Sequence, residues 1–311
     1  MQRTVTVFGG SGFIGRYIVE RLAARGDRVR VAVRRPNQAL FLKPYGAVGQ
    51  VSILATNIRD EASVRRAIDG ADAVVNLVGI LASSGSQTFQ AIQYEGAKLV
   101  ADIAKEAGIK NFVQLSAIGA DTGSTAQYAK TKALAEEAVL AAIPTATILR
   151  PSIVVGHEDG FFNRFAQMMQ TLPVLPLPGV DSKFQPVYVG DVADAAVKAL
   201  DGGDLVEGQT FELGGPEVDT FRGLLERLMA EIGIDRSIIG LPWPIAFINA
   251  FILQMLPGKL LTVDQVKMLK VDNVVADGAK TLADLGIDAK PMSSVLPRYS
   301  TQYRPQGQFS E

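Results

Sequence analysis

The 311-residue chain has no cysteine, so disulfides, thiol nucleophiles and thiolate metal sites are excluded, and a reducing compartment suits it. It has one histidine, His157, which closes zinc chemistry and serine-histidine catalysis elsewhere in the chain. His157 sits in "VVGHEDGFF", a polar loop flanked by glycine where a solvated side chain is expected. No metal site follows from this composition. An excess of one charge is also missing: 31 Lys and Arg stand against 32 Asp and Glu, so no global field draws the chain to nucleic acid. The balance hides an asymmetry, because residues 1–150 carry 18 basic and 12 acidic residues and the remainder 13 and 20. A basic first half suits a polyanionic ligand held there. The opening "MQRTVTVFGG" starts a strand almost at once, with no signal or transit segment expected before it.

What is present is apolar content, 48% of residues, enough to bury a substantial core. Residues 1–150 alternate short apolar runs at 4–8, 28–33, 51–54, 73–78, 112–116 and 146–150 with helix-period segments at about 13–25, 60–69, 88–107 and 126–142. Strands separated by helices require crossovers, which predicts an α/β fold with a doubly wound parallel sheet of the Rossmann type. After Pro151 the rhythm breaks at "LPVLPLPGV". A strand and helix follow in "FQPVYVGDVADAAVKAL", then a strand at 210–215 and helical segments to about residue 285. The expected organisation is a dinucleotide domain over 1–150 completed by strands within 187–215. A smaller C-terminal α/β lobe would take 151–186 and 216–300, with 301–311 as a tail.

"VFGGSGFIGRYIVERLAA" puts Gly9, Gly12 and Gly15 at the first strand-to-helix junction. A pyrophosphate needs a tight turn, close backbone approach and a helix N-terminus beneath it, and this pattern in this position meets those needs. The second strand ends in "VAVRRPN" with no acid nearby. Arg34 there suits the 2′-phosphate of NADP(H), with NAD(H) the alternative; two arginines on a solvated rim would look the same. Tyr128 and Lys132 in "QYAKTKALAEEAV" are four apart on one helical face. They are either a surface pair or, with Ser116 at a strand end upstream, an acid/base site in which a nearby ammonium lowers the phenol by roughly 1 to 3 units.

These motifs, with "NLVG" at 76–79, "LRPSIVVG" at 149–156 and "VYVGDVADA" at 187–195, resemble the extended and atypical short-chain dehydrogenase/reductases. "FQAIQYEGAKLVADIAKEAGIKNFVQLSAIGAD" and "LPGKLLTVDQVKMLKVDNVV" narrow the resemblance to the NAD(P)H-binding accessory subunit of respiratory complex I and its bacterial relatives. The resemblance implies a coenzyme site of Gly9, Gly12, Phe13, Ile14, Gly15, Arg34, Asn57, Ile58, Val78, Gly79, Lys132 and Pro151. Asn57 and Ile58 would meet the adenine edge, and Asn76 to Gly79 would form a wall beside the ribose. Ser116 would face substrate, Tyr128 would be the acid/base, and Lys132 would hold the nicotinamide ribose. The chain departs from the family at Asn57-Ile58, usually Asp-Leu, and at Gln93, often Asn.

From Ser237 to Gly258 no residue is charged. Residues 245–256 would span about 18 Å as a helix, short of the roughly 30 Å hydrocarbon core, so no transmembrane helix is expected. The stretch is a buried helix of the small lobe, a lid over an apolar substrate, or a surface for membrane or partner. Two functions stand: a complex I accessory protein with a structural nucleotide, or an NADP(H)-dependent oxidoreductase or epimerase on a small apolar substrate such as a quinone or isoprenoid intermediate. The resemblance implies a cytoplasmic protein, peripheral on the cytoplasmic face of the inner membrane.

Overall fold

In the computed structural model, which describes residues 2–256 and 261–304, strand and helix alternate up to residue 151. The elements are β1 (Thr4–Phe8), α1 (Phe13–Ala24), β2 (Arg28–Val33), β3 (Val51–Ala55), α2 (Glu61–Ile68), β4 (Ala73–Asn76), α3 (Gly96–Glu106), β5 (Asn111–Leu115), α4 (Gln127–Ala142) and β6 (Thr147–Pro151). Beyond them come β7 (Val154–Val155), α5 (Phe162–Thr171), β8 (Val174–Pro178), β9 (Lys183–Phe184), β10 (Val187–Tyr188), α6 (Val189–Ala199) and β11 (Thr210–Leu213). The larger elements end with β12 (Asp219–Thr220), α7 (Phe221–Ile232), β13 (Ser237–Leu241), α8 (Trp243–Leu253) and α9 (Val263–Met268).

The chain divides into two compact units. The first comprises the chain up to Pro151 with Gly190–Glu212 and Gly278–Ile287. Its seven-stranded sheet has the order β11-β6-β5-β4-β1-β2-β3, with parallel neighbours and helices on its faces, the doubly wound Rossmann arrangement. The strands are apolar runs because both sheet faces are covered: Val5, Val7, Val31, Val74, Val75 and Val113 are all about fully buried. The sequence order reverses at the β1/β4 junction, which opens the crevice where such sheets bind ligands. Asp60 caps α2 by accepting from the Ser63 N–H at 3.0 Å, one of several local signals that agree with the fold.

The second unit comprises Ser152–Val189, Leu213–Asp277 and the chain from Asp288. A cluster of Phe161, Phe165, Phe184 and Phe221 rings in edge and tilted contact lies at its core. Three details differ from the expected pattern. The Pro-rich stretch forms β8 and pairs in parallel with β13, a strand that interrupts the run of helices. Pro176 and Pro178 alternate along β8, so the missing N–H groups fall on one edge, the position a strand tolerates. β10 pairs with β7, while β11 is the strand that joins the large sheet.

The uncharged stretch folds as β13 and α8, and α8 is inverted in an informative way. Its buried residues are Ala246 and Ala250, packed against Val266 of α9. Ile245, Ile248, Phe251 and Ile252 are about half exposed or more, as are Met255 and Leu256 beyond its end. Trp243 and Phe247 are partly buried against the same cluster, while the isoleucines and Phe251 face out, which removes the reading of α8 as a fully buried helix. Lys270 lies over the rings of Trp243 and Phe247, at 5.4 and 5.0 Å. Residues 257–260 of the "LPGKLL" motif lie outside the described residues. Among the described residues no helix is long and apolar enough to cross a membrane.

Candidate functional site: a dinucleotide cradle and a Ser-Tyr-Lys cluster

Both parts of the site lie in the first unit, at the C-terminal ends of its strands. Gly9 leaves β1 with φ +78°, a conformation that favours glycine. Its carbonyl accepts the Gly12 N–H at 2.9 Å, closing the turn. Gly12 is the N-cap of α1, and neither a side-chain cap nor a first-turn acid meets that helix end. The N-terminus carrying Phe13, Ile14 and Gly15 therefore offers backbone donors and a positive dipole end to an anion. A Cβ at Gly12 would meet only the Gly9 oxygen, at 3.2 Å, whereas one at Gly15 would strike Gly9 O at 2.5 Å and Gly10 Cα at 2.6 Å. Gly12 thus leaves open approach surface, and Gly15 lets helix and turn pack. This cradle fits a dinucleotide pyrophosphate.

Arg34 is exposed just past β2, its Nη1 donating to Gln87 Oε1 at 2.5 Å. Asn57 and Ile58 follow β3. Asn57 Oδ1 accepts the Arg59 N–H at 3.2 Å, and Ile58 is 4% exposed, packed in the core. The Ile58 side chain is therefore turned inward, leaving backbone and Asn57 to meet a base. Val78 and Gly79 lie beyond the end of β4, and Pro151 ends β6 with its carbonyl accepting the Ile118 N–H at 3.1 Å.

Ser116 follows β5 and is 4% exposed, and its Oγ is buried without a hydrogen-bond partner. A buried hydroxyl with no partner is costly, and ligand at this point would relieve it. Tyr128 and Lys132 share α4, with Lys132 Nζ 6.0 Å from the Tyr128 ring centroid and donating to Leu115 O at 3.0 Å. Burial lowers the Lys132 ammonium to about 8, against a smaller opposing pull from Glu136. Burial also pushes the Tyr128 phenol up to about 12. The expected lowering of the phenol by its lysine is thus not found: burial, which disfavours the phenolate, moves it up. The Phe89 ring meets Tyr128 edge-on at 6.0 Å, part of the apolar surroundings.

Behind Lys132, Glu136 accepts from Arg150 Nε and Nη2 at 3.0 and 2.6 Å, and Arg150 Nη1 reaches Glu212 at 3.5 Å. Gln93 lies in a π-helical turn, Gln90–Glu95, that precedes α3. It donates to Ile80 O at 2.7 Å and accepts the Thr131 hydroxyl at 2.9 Å. Asn76 and Gln114, buried behind the site, carry no motif and went unread in the sequence beyond Asn76 as part of "NLVG". His157 is exposed in its loop, and among the described residues no group of three His, Cys, Asp or Glu is placed to hold a metal.

Comparisons with known proteins agree with this architecture. Residues 5–214 match the family described as NAD dependent epimerase/dehydratase. The chain is 36% identical to the mitochondrial NADH dehydrogenase [ubiquinone] 1 alpha subcomplex subunit 9 of Arabidopsis thaliana, over 97% of this chain and 78% of that protein. It is 31% identical to the mitochondrial NADH-ubiquinone oxidoreductase 40 kDa subunit of Neurospora crassa, over 97% and 80%. Among solved structures, a UDP-glucose 4-epimerase from Thermotoga maritima superimposes with a TM-score of 0.72 at 19% identity, over 96% of this chain and 98% of that one, a likeness of fold. The chain belongs to the NAD dependent epimerase/dehydratase family and is related, over nearly its whole length, to these subunits of NADH-ubiquinone oxidoreductase.

Proposed function

We propose that this protein is a nucleotide-binding accessory protein of respiratory complex I, holding NADP(H) in its first unit and docking through the outer face of α8. The observation that carries the docking half is the inversion of α8, with Ile245, Ile248, Phe251 and Ile252 turned outward from a helix that buries only alanines. The nearly full-length relationship to subunits of that enzyme supports the choice of partner. The uncapped helix end behind Gly12 supports the nucleotide, and Arg34 at the end of β2 with no acid beside it supports NADP(H) over NAD(H). The protein then works from the cytoplasmic side, peripheral on the inner membrane that carries the complex. The test is gentle solubilisation of membranes containing the tagged protein, followed by native electrophoresis. Co-migration with NADH:ubiquinone oxidoreductase activity supports the accessory reading, and a free protein sinks it.

The unpartnered Ser116 hydroxyl favours a second reading, an oxidoreductase or epimerase on a small apolar substrate. Bound nicotinamide would supply hydride transfer. Ser116 would donate a hydrogen bond to the substrate oxygen, the Tyr128 phenol would exchange a proton with it, and the Lys132 ammonium would hold the ribose hydroxyls. Replacing Tyr128 by Phe separates the readings: cells that need the nucleotide cradle but tolerate Tyr128→Phe do not need turnover.

A further inference from the structure

Two buried chains of amide hydrogen bonds run from the end of β4 to α4. In the first, Asn76 Oδ1 accepts the Val78 N–H at 3.2 Å, and Asn76 Nδ2 donates to Gln114 Oε1 at 2.9 Å, across the β4–β5 register that pairs these residues. Gln114 Nε2 donates to Leu115 O at 3.1 Å, the same carbonyl that accepts Lys132 Nζ at 3.0 Å. In the second, Gln93 bonds Ile80 O and takes the Thr131 hydroxyl. Asn76, Gln114, Gln93 and Thr131 are each at most 2% exposed. The three residues Val78 to Ile80 are therefore bonded at both ends, through separate glutamines, to the adjacent residues Lys132 and Thr131. A methyl group added at Gly79, between the two attachment points, would lie 3.5 Å from Lys132 Nζ.

Buried amides are costly unless every donor and acceptor is met, and apolar side chains of similar size would fill the same space without that demand. Each side-chain nitrogen and oxygen of Asn76, Gln114 and Gln93 has a partner, and a buried network of this kind contributes fixed geometry. We infer that Asn76, Gln114 and Gln93 are positioning residues, which make the Val78–Ile80 wall and the Lys132 turn of α4 one rigid body and so set the ribose-facing wall and the ribose-holding ammonium at a single distance. This rests on the dinucleotide reading for its ligand and on the hydrogen bonds alone for its mechanics.

The test uses the full chain with Gln114→Met or Gln93→Met, each near-isosteric, in wild-type and Lys132→Met backgrounds. Amide hydrogen exchange needs no ligand: Gln114→Met is expected to speed exchange at Val78 about tenfold and to leave Val113 of β5 unchanged. Calorimetry with NADPH and with adenosine 2′,5′-bisphosphate, which lacks the nicotinamide ribose, reads the second half. Either variant weakens NADPH about tenfold and the bisphosphate less than about twofold, and Gln114→Met costs less than about twofold once Lys132 is Met. Unchanged Val78 exchange would overturn the strap while leaving the dinucleotide reading in place. Equal weakening of both ligands would overturn the positioning role in favour of general loss of structure. Wild-type protein binding neither ligand would overturn the ribose half together with the dinucleotide reading.

Discussion

The Lys132 ammonium lies 6.0 Å from the centre of the Tyr128 ring, and burial moves the two groups toward neutrality from opposite sides, the lysine down to about 8 and the phenol up to about 12. At pH 7 both keep their protons. On the oxidoreductase reading the phenol would therefore enter the reaction in its protonated form.

The same burial predicts a pH dependence of stability. Between about 8 and the ordinary lysine value of 10.5, the unfolded chain binds a proton at Lys132 that the folded chain does not. Stability therefore gains from this group as pH rises through that window, and the cost is fully present below it. Lys132→Met is expected to be more stable than wild type at pH 7 by roughly 2–3 kcal/mol, with the gap closing by pH 10.5. Urea unfolding at pH 7 and pH 10.5 checks this; a gap that widens with pH contradicts it.

Two glycines of one turn are expected to fail in different ways. Gly15→Ala forces a methyl against Gly9 and Gly10 backbone, and a loss of about 1–3 kcal/mol is expected in thermal or urea unfolding. Gly12→Ala meets only the Gly9 oxygen, so stability changes by less than about 0.5 kcal/mol while NADPH affinity falls at least about tenfold.

Arg34→Met separates the coenzymes. Loss of a guanidinium paired with a 2′-phosphate costs NADPH roughly 10- to 100-fold and NADH less than about twofold. Equal losses for both, measured by titration calorimetry, would assign Arg34 to the adenosine at large.

For the outer face of α8, Ile248→Asp with Phe251→Asp is expected to leave stability within about 0.5 kcal/mol per site, because both residues are more than half exposed. The variant should leave the membrane fraction and still bind NADPH. Retention in the complex would show that this face touches neither lipid nor partner.

The doubly wound sheet was legible in the sequence because strands covered on both faces read as apolar runs, and because "GGSGFIG" obeys backbone geometry that few residues satisfy; Gly278–Ile287, expected in the small lobe, belongs to the first unit. β8 and β13 were harder to read, since a strand with prolines at alternate positions looks like a linker and its partner borders a helix-like apolar run. The π-helical turn at Gln90–Glu95 changes hydrogen-bond spacing without changing the apolar pattern, so it merged with α3. That Tyr128 and Lys132 share one helix was legible from their spacing, but the phenol's upward shift was not, because desolvation depends on what packs around α4. Gln114 was invisible for a related reason: its pairing with Asn76 exists only in the β4–β5 register.

The large sheet is finished late in the chain. Its outermost strand, β11, comes after more than fifty intervening residues beyond β6, and Glu212 in β11 donates its N–H to Lys280 O, nearly seventy residues later still. During synthesis the nucleotide cradle can assemble early around β1 to β5, while the open flank of β6 has to wait for β11. A premature stop ahead of β11 would release a protein with its glycine turn formed and the flank of β6 bare, a species expected to hold coenzyme yet aggregate.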